Sequence, residues 1–432
     1  MEKLALLGGK PILNKKLAKY NSLGKEEERA VLKVMKTKII SDFLGRAGRY
    51  FLGGKYVKEL EKKFCQYFKI KYAVSFNSAS TALQAAVGAL GIGPGDEVIT
   101  SPFTMSATAS AILLNNAVPV FCDIDERDFC IDSYKVEKLI NKNTKAILVV
   151  NLFGKSADYD LILKVAKKHN LKVIEDNAQS AGATYNNKFT GTIGDIGVFS
   201  FNVHKVIQSG EGGMLVTSNK KYAFRAQLIR NHGEAVINDL KNQDIYEPVL
   251  GNNCRMTELQ AAIVIEQLKK LKKLNGKRIA LSDYLTKKLK KISWLITPLN
   301  LKNNIHIYYT YPLKFISEKI GIKRATFAKA MKAEGFDLGQ GYQEPLYLFP
   351  LYQRKRMYPN SQFPFASKEY PNQVSYKKGI CPVTERMYEK ELLCTNICQP
   401  SQTKKDIDLF VMAVEKIKAN IDKLKNYERK VC

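Results

Sequence analysis

The chain contains no run approaching the ~20 consecutive apolar residues that a membrane helix needs. Its apolar start, Met1 to Gly9, is too short for the core of a secretory signal. Membrane and exported proteins are therefore not expected, and a soluble cytoplasmic one is. Histidine is scarce, four residues in 432, and the eight cysteines include no C-x2-C pair. With no zinc-site spacing among them, a metal centre is not expected, whereas free thiols in a reducing compartment are. Acidic residues are also few: 41 Asp and Glu stand against 69 Lys and Arg, a net charge of +28. Such an excess raises the question of nucleic acid. The lysines are spread along the chain, however, and the two dense runs, Lys269 to Lys273 and Lys287 to Lys291, carry leucines at helical spacing. They read as two amphipathic helices with solvated basic faces. No nucleic-acid motif accompanies them, so no nucleic-acid partner is expected. The positive field suits small anions, phosphate esters included.

What the chain does have is length, with 45% hydrophobic residues, enough for a sizeable core and two domains. Residues 1–50 read as an N-terminal arm with one helix from Gly24 to Thr37. From Tyr72 short apolar runs alternate with helical stretches: Tyr72 to Phe76, Glu97 to Thr100, Val118 to Cys122, Ala146 to Val150, Leu171 to Glu175. This rhythm implies βαβ units and a mostly parallel sheet flanked by helices, within a large α/β domain over residues 51–280. Residues 281–432 have a mixed α+β texture and form a smaller C-terminal domain. Tyr342 to Arg354 and Ser361 to Gly379 read as long aromatic-rich loops.

In an open parallel sheet, ligands lie beyond the carboxyl ends of the strands. Asp176 follows Leu171 to Glu175 at that rim. One module downstream comes Ser200-Phe-Asn-Val-His-Lys205-Val-Ile-Gln-Ser-Gly210-Glu-Gly-Gly213, a lysine loop between two strands. A rim Asp and a loop Lys are the pair that holds pyridoxal phosphate: the Asp keeps the ring nitrogen protonated and the Lys forms the Schiff base. Taken alone, Lys205 is one surface lysine among many, and Asp176 a buried Asp satisfied by amides. Gly210, Gly212 and Gly213 allow a tight turn beside a ligand, and Ser200 can contact a phosphate. Asn77-Ser-Ala-Ser-Thr81 follows a strand and opens a helix, so Ser80 and Thr81 are helix caps, phosphate ligands, or both. Gln179 can reach the ring oxygen or serve as a polar residue at a helix start. His204 and His232 are left without a role.

Together these segments resemble the DegT/DnrJ/EryC1/StrS sugar aminotransferases, pyridoxal-phosphate enzymes of the aspartate-aminotransferase fold (fold type I). The resemblance runs from Leu23-Gly-Lys-Glu-Glu27 to Pro382-Val-Thr-Glu385 and Pro400. It rests on Asn77 to Leu83, Gly93-Pro-Gly-Asp-Glu-Val98, Val173 to Gln179, the Lys205 loop, Arg230-Asn-His-Gly233 and Gly251 to Met256. It implies Lys205 as the Schiff-base lysine, Asp176 as the pyridine partner, Gln179 on the ring oxygen, and Ser80, Thr81 and Ser200 on the phosphate. Asn253 matches an Asn that reaches the phosphate of a neighbouring subunit, implying a homodimer with shared active sites. Met105 stands where relatives commonly stack an aromatic, so altered ring packing with retained binding is expected. The implied reaction is ping-pong transfer from an amino acid, usually glutamate, to a keto-sugar, nucleotide-linked. A sugar dehydratase on the same fold, in which His replaces the lysine, and a non-catalytic cofactor-binding regulator are the rival readings. Specificity is expected from the arm and from the aromatic loops after Tyr342.

Overall fold

The computed structural model describes residues 2–236, 249–299, 302–371 and 374–431. The arm begins with an irregular segment and α1 (Lys25–Thr37), followed by α2 (Lys55–Phe68). Then come β1 (Tyr72–Phe76), α3 (Ala79–Ala89), β2 (Glu97–Thr100), α4 (Ala107–Leu113), β3 (Val118–Phe121), β4 (Thr144–Val150), α5 (Tyr159–Lys168), β5 (Lys172–Asp176), β6 (Ile196–Ser200), β7 (Gly213–Thr217) and α6 (Lys220–Arg230). The seven strands form one sheet in the order β1-β7-β6-β5-β4-β2-β3. Only β7 runs against the rest, pairing antiparallel with both β1 and β6. Helices cover both faces, which is why Ala146 to Val150 is apolar throughout and fully inside. The fold is the α/β large domain with a small C-terminal domain expected from the sequence.

The expected pair of lysine-rich helices is one continuous helix, α7 (Glu258–Leu289), 32 residues long. Gly276, between the two runs, does not break it: a Cβ there would meet nothing within 4 Å, so the site is exposed and indifferent. Leu268 and Leu271 pack with the large sheet's outer layer, while Leu281, Leu285 and Leu289 enter a second core. That core lies on a four-stranded antiparallel sheet: β8 (Leu295–Ile296), β9 (Tyr311–Phe315), β10 (Gly339–Gln340) and β11 (Leu392–Thr395), ordered β8-β9-β11-β10. α8 (Lys404–Ala419) packs on it. The start of the chain belongs here too. Leu4 and Leu13 are buried in this core, and the fully buried Glu334 accepts from Ala5 N (2.9 Å), Ile12 N (3.0 Å) and Lys416 Nζ (3.0 Å).

The aromatic-rich loops are a packing device. Tyr347, Tyr352, Phe365, Tyr370 and Tyr376 are buried with Phe121 and Val118, closing the β3 edge of the sheet. Tyr376 Oη donates to Pro119 O at 2.7 Å and Tyr370 Oη to Glu97 Oε1 at 2.6 Å. These five rings therefore face the sheet edge.

One buried ion pair ties α6 to α2, and Ser75 of β1 is hydrogen-bonded to both partners. Arg230 is 0% exposed; its Nη1 donates to Glu61 Oε1 at 2.7 Å, while Nε and Nη2 have no hydrogen-bond partner among the described residues. Glu61→Ala would strand this charge in the interior. A loss of about 3–5 kcal/mol is expected, readable as a lowered urea midpoint at unchanged slope.

Candidate active site

The rim at the carboxyl ends of β1, β5 and β6 gathers the residues singled out in the sequence. Asp176 is the last residue of β5, Ser200 of β6, and Asn77 and Ser78 follow β1. Asp176 is 6% exposed. Its Oδ2 accepts from Thr108 Oγ1 at 2.8 Å and its Oδ1 from Ala178 N at 3.1 Å. Among the described residues it makes no ion pair. Burial raises its pKa, opposed by the Thr108 hydroxyl, the Ala178 amide and the charge of Lys205.

Lys205 lies in the loop between β6 and β7. That loop is closed by Val203 N to Gly210 O (2.8 Å) and Phe201 N to Gly212 O (2.9 Å). Gly210 has φ +80° and Gly212 φ +153°, conformations that side chains rarely adopt. Lys205 is half-buried, and its Nζ sits 5.1 Å from the centre of the Tyr309 ring. Burial drives its pKa down, with Asp176 opposing. A lysine amine pushed toward neutrality is the nucleophilic form. The buried carboxylate has no cation paired to it, which fits a group that brings its own, such as a protonated pyridine.

The corner where β1 meets α3 is built from backbone. Ser78 caps α3, its Oγ accepting from Thr81 N at 3.2 Å, and Thr81 Oγ1 donates to Asn77 Oδ1 at 2.7 Å. The amides of Ala79 and Ser80 make no hydrogen bond among the described residues. An 11-residue helix thus presents open donors and the positive end of its dipole. A Cβ on Gly213 would sit 2.4 Å from Ser78 O, so only glycine lets β7 start against this corner. Ser80 is exposed; Ser200 is buried, its Oγ accepting from Asn202 N at 3.3 Å.

Gln179 is fixed from both ends. Its Oε1 accepts from Phe153 N at 2.9 Å and its Nε2 donates to Tyr342 Oη at 2.8 Å. Met105 is 54% exposed, and its carbonyl accepts from Thr108 N, one turn from the Asp176 contact. Asn253 is exposed and bridges through its backbone to Asn231. His204 is exposed beside Lys205, and His232 lies 3.5 Å from Glu234.

Four contributors were not read from the sequence: Thr108, Phe153, Tyr309 and Tyr342. Phe153 (φ +56°) and Tyr308 (φ +51°) are bulky residues in the left-handed region, a strain that persists where the surroundings over-determine it. They meet at Gly154, where a Cβ would lie 2.7 Å from Tyr309 N. This contact sets Gln179's amide donor and the Tyr309 ring together. Asn151-Leu-Phe-Gly154 follows β4, so the rim rule that found Asp176 also points to it. Tyr309 and Tyr342 come from the distant small domain and carry no local signal. Tyr20, His204, Tyr309, Gln340, Tyr342 and Asn396 line a cleft of about 430 Å³ between the two cores.

Thr108→Val tests the hydroxyl on Asp176. Losing a bond to a charged group raises the carboxyl pKa further, so the acid limb of cofactor binding should move up by about one pH unit or more. Fluorescence titration of the cofactor across pH measures it.

A doubly covered sheet with one reversed strand, and a buried carboxylate at its rim near a half-buried lysine, fit a pyridoxal-phosphate transferase of fold type I. Residues 35–394 match the model of the DegT/DnrJ/EryC1/StrS aminotransferase family, and the chain belongs to that family. It is 33% identical over 408 residues to the spore coat polysaccharide biosynthesis protein SpsC of Bacillus subtilis, covering 93% of this chain and 96% of that one. It is 37% identical over 300 residues to GDP-perosamine synthase of Caulobacter vibrioides, covering 69% and 79%. Among solved structures, an aminotransferase from Psychrobacter cryohalolentis superposes with TM-score 0.79 at 28% identity, covering 94% of this chain and all of that one. The protein is a pyridoxal-phosphate-dependent sugar aminotransferase.

Proposed function

We propose that the chain transfers an amino group from L-glutamate to the ketone of a nucleotide-linked sugar, in two half-reactions that share Lys205. The observation that carries this reading is the half-buried Lys205, its pKa lowered by burial, near a buried Asp176 that makes no ion pair among the described residues. Pyridoxal phosphate, when bound, supplies the electron sink that lets the carbon beside the amine lose its proton. Lys205 anchors it at rest. Once displaced by the donor amine, Lys205 carries the proton away from the donor carbon, and in the second half-reaction it returns one to the sugar carbon. Asp176 offers its charge to the ring nitrogen, and Gln179 Nε2 its free hydrogen to the ring oxygen. Ser80, Thr81 and Ser200 with the α3 amides hold the phosphate, and Met105 packs on the ring face.

Asn253 completes the phosphate site of a second copy, so the working unit is a cytoplasmic homodimer with shared sites. The exposed Leu32, Met35, Ile39, Ile40 and Leu250 support such a face. The nucleotide link rests on the relative named for a GDP sugar and on the positive field of the chain.

The test is the visible spectrum of the cofactor-loaded protein before and after L-glutamate. Loss of the resting band with release of 2-oxoglutarate, followed by recovery with a nucleotide-linked keto-sugar, is the expected result. A spectrum indifferent to every amino donor would overturn the reading. A deoxygenated sugar product in its place would make the protein a dehydratase.

A further inference from the structure

The Lys205 loop is held from behind by the N-terminal arm. Tyr20 Oη donates to the main-chain oxygen of Val206, the residue after Lys205, at 2.9 Å. The ring of Tyr20 lies against the guanidinium of Arg278 on α7, 4.6 Å from its centre. Arg278 is 2% exposed, its Nε and Nη1 have no hydrogen-bond partner, and it makes no ion pair among the described residues. A buried guanidinium so placed is stabilised by the ring face, and in return it fixes the plane of the ring and hence the aim of the hydroxyl.

A second tie lies a few residues on. Gln267, fully buried on α7, accepts from Gln208 N at 3.2 Å through Oε1. Its Nε2 donates to Ser22 O (2.9 Å) and Glu27 Oε1 (2.8 Å). Gln208 Oε1 in turn accepts from Gly210 N at 3.0 Å. Tyr20 therefore reaches Val206 directly, and Ser22 reaches Gln208 through Gln267, both shortly after the lysine.

We propose that Tyr20, Arg278 and Gln267 are positioning residues, a clamp through which the arm sets the backbone of Lys205. This rests on the reading of Lys205 given above. Before Lys205 the loop is restrained by its own bonds, such as Lys205 N to Asn202 O at 2.9 Å; after it the restraints on 206 and 208 come from outside. An amine that must meet one carbon and then move one proton is sensitive to a shift of about 1 Å, which can cost about 10²-fold. The clamp also makes the arm part of the active site without any contact to substrate.

Tyr20→Phe removes the hydroxyl and keeps the ring on Arg278; Gln267→Met removes the second tie at similar volume. In cofactor-free protein, hydrogen exchange over residues 201–212 should rise about 3- to 10-fold in either variant, the equivalent of one net hydrogen bond. Exchange in α8 should not change. Looser packing lets water reach the amine, so the pH midpoint for borohydride trapping of pyridoxal phosphate on Lys205, read by mass spectrometry, should move up. Wild-type exchange and midpoint in both variants would overturn the clamp, as would a uniform rise across the chain, which marks a merely structural role. If Lys205 of the unaltered chain takes no label, the reading of Lys205 falls instead, and the exchange result alone decides the clamp.

Discussion

Lys205→Met should lower the half-reaction with glutamate by at least about 10⁴-fold, the upper range for a positioned proton-transfer group, with the covalent anchor lost as well. The cofactor should still bind, through the phosphate corner and Asp176, but borohydride should no longer fix it to the chain. The same variant should be more stable than the parent when cofactor-free. Burial lowers the folded-state pKa of Lys205 below its unfolded value, so folding works against the charged amine. For a depressed pKa the stability is present above the unfolded value and falls as pH drops through the folded one. The advantage of Lys205→Met should therefore be largest below the folded value and shrink as pH rises toward the ordinary lysine range. Thermal unfolding of the cofactor-free pair across pH measures this. A variant that keeps turnover, or whose stability gain grows with pH, would contradict the placement of Lys205.

Such a site is partly legible in sequence because its anchors are local. Asp176 and Ser200 each sit where an apolar run stops, and strand ends are visible as a change of period. The cap of α3 is Ser78, not Ser80 or Thr81 as expected, because the helix already begins at Ala79. The β1 and β2 limits follow from alternation of texture and agree with the structure to the residue. What escaped was set by three-dimensional contact. Thr108 is one threonine of a helix until the fold turns it toward Asp176. Tyr342 reaches Gln179 across 163 residues of chain, and Tyr20 reaches Val206 across 186. The aromatic loops show the same limit. Richness in Tyr and Phe signals a surface to be covered, and the sequence does not say whether a ligand or a sheet edge covers it; here it is the β3 edge. Likewise the two lysine runs share one helix because its apolar stripe continues past Gly276, a glycine that costs only about 1 kcal/mol when exposed.

Asp176→Asn should separate electrostatics from shape at the centre of the site. Asparagine keeps the size of the side chain, and its oxygen can still accept from Ala178 N while the Thr108 hydroxyl turns to meet the new amide. Only the charge is lost. Without it a protonated ring nitrogen has no partner, and cofactor affinity and the half-reaction should each fall about 10²- to 10³-fold, as when one preorganised group is removed from a water-poor site. Stability of the cofactor-free protein should move the other way. Burial raises the Asp176 pKa, so the carboxylate is tolerated best when protonated, and the stability it contributes is lost as pH rises through the folded value. Asp176→Asn should thus unfold at higher temperature than the parent at pH 7, the difference closing as pH falls toward the usual carboxylate range. Loss of function with gain of stability distinguishes a carboxylate kept for an incoming cation from one kept for the fold; parallel losses would assign Asp176 to the fold instead. The two ionisable groups at this rim are then linked by more than proximity. Each is held by burial away from its charged form, each opposes that shift in the other, and a bound cofactor with a protonated ring relieves the cost at Asp176 while taking up the amine of Lys205.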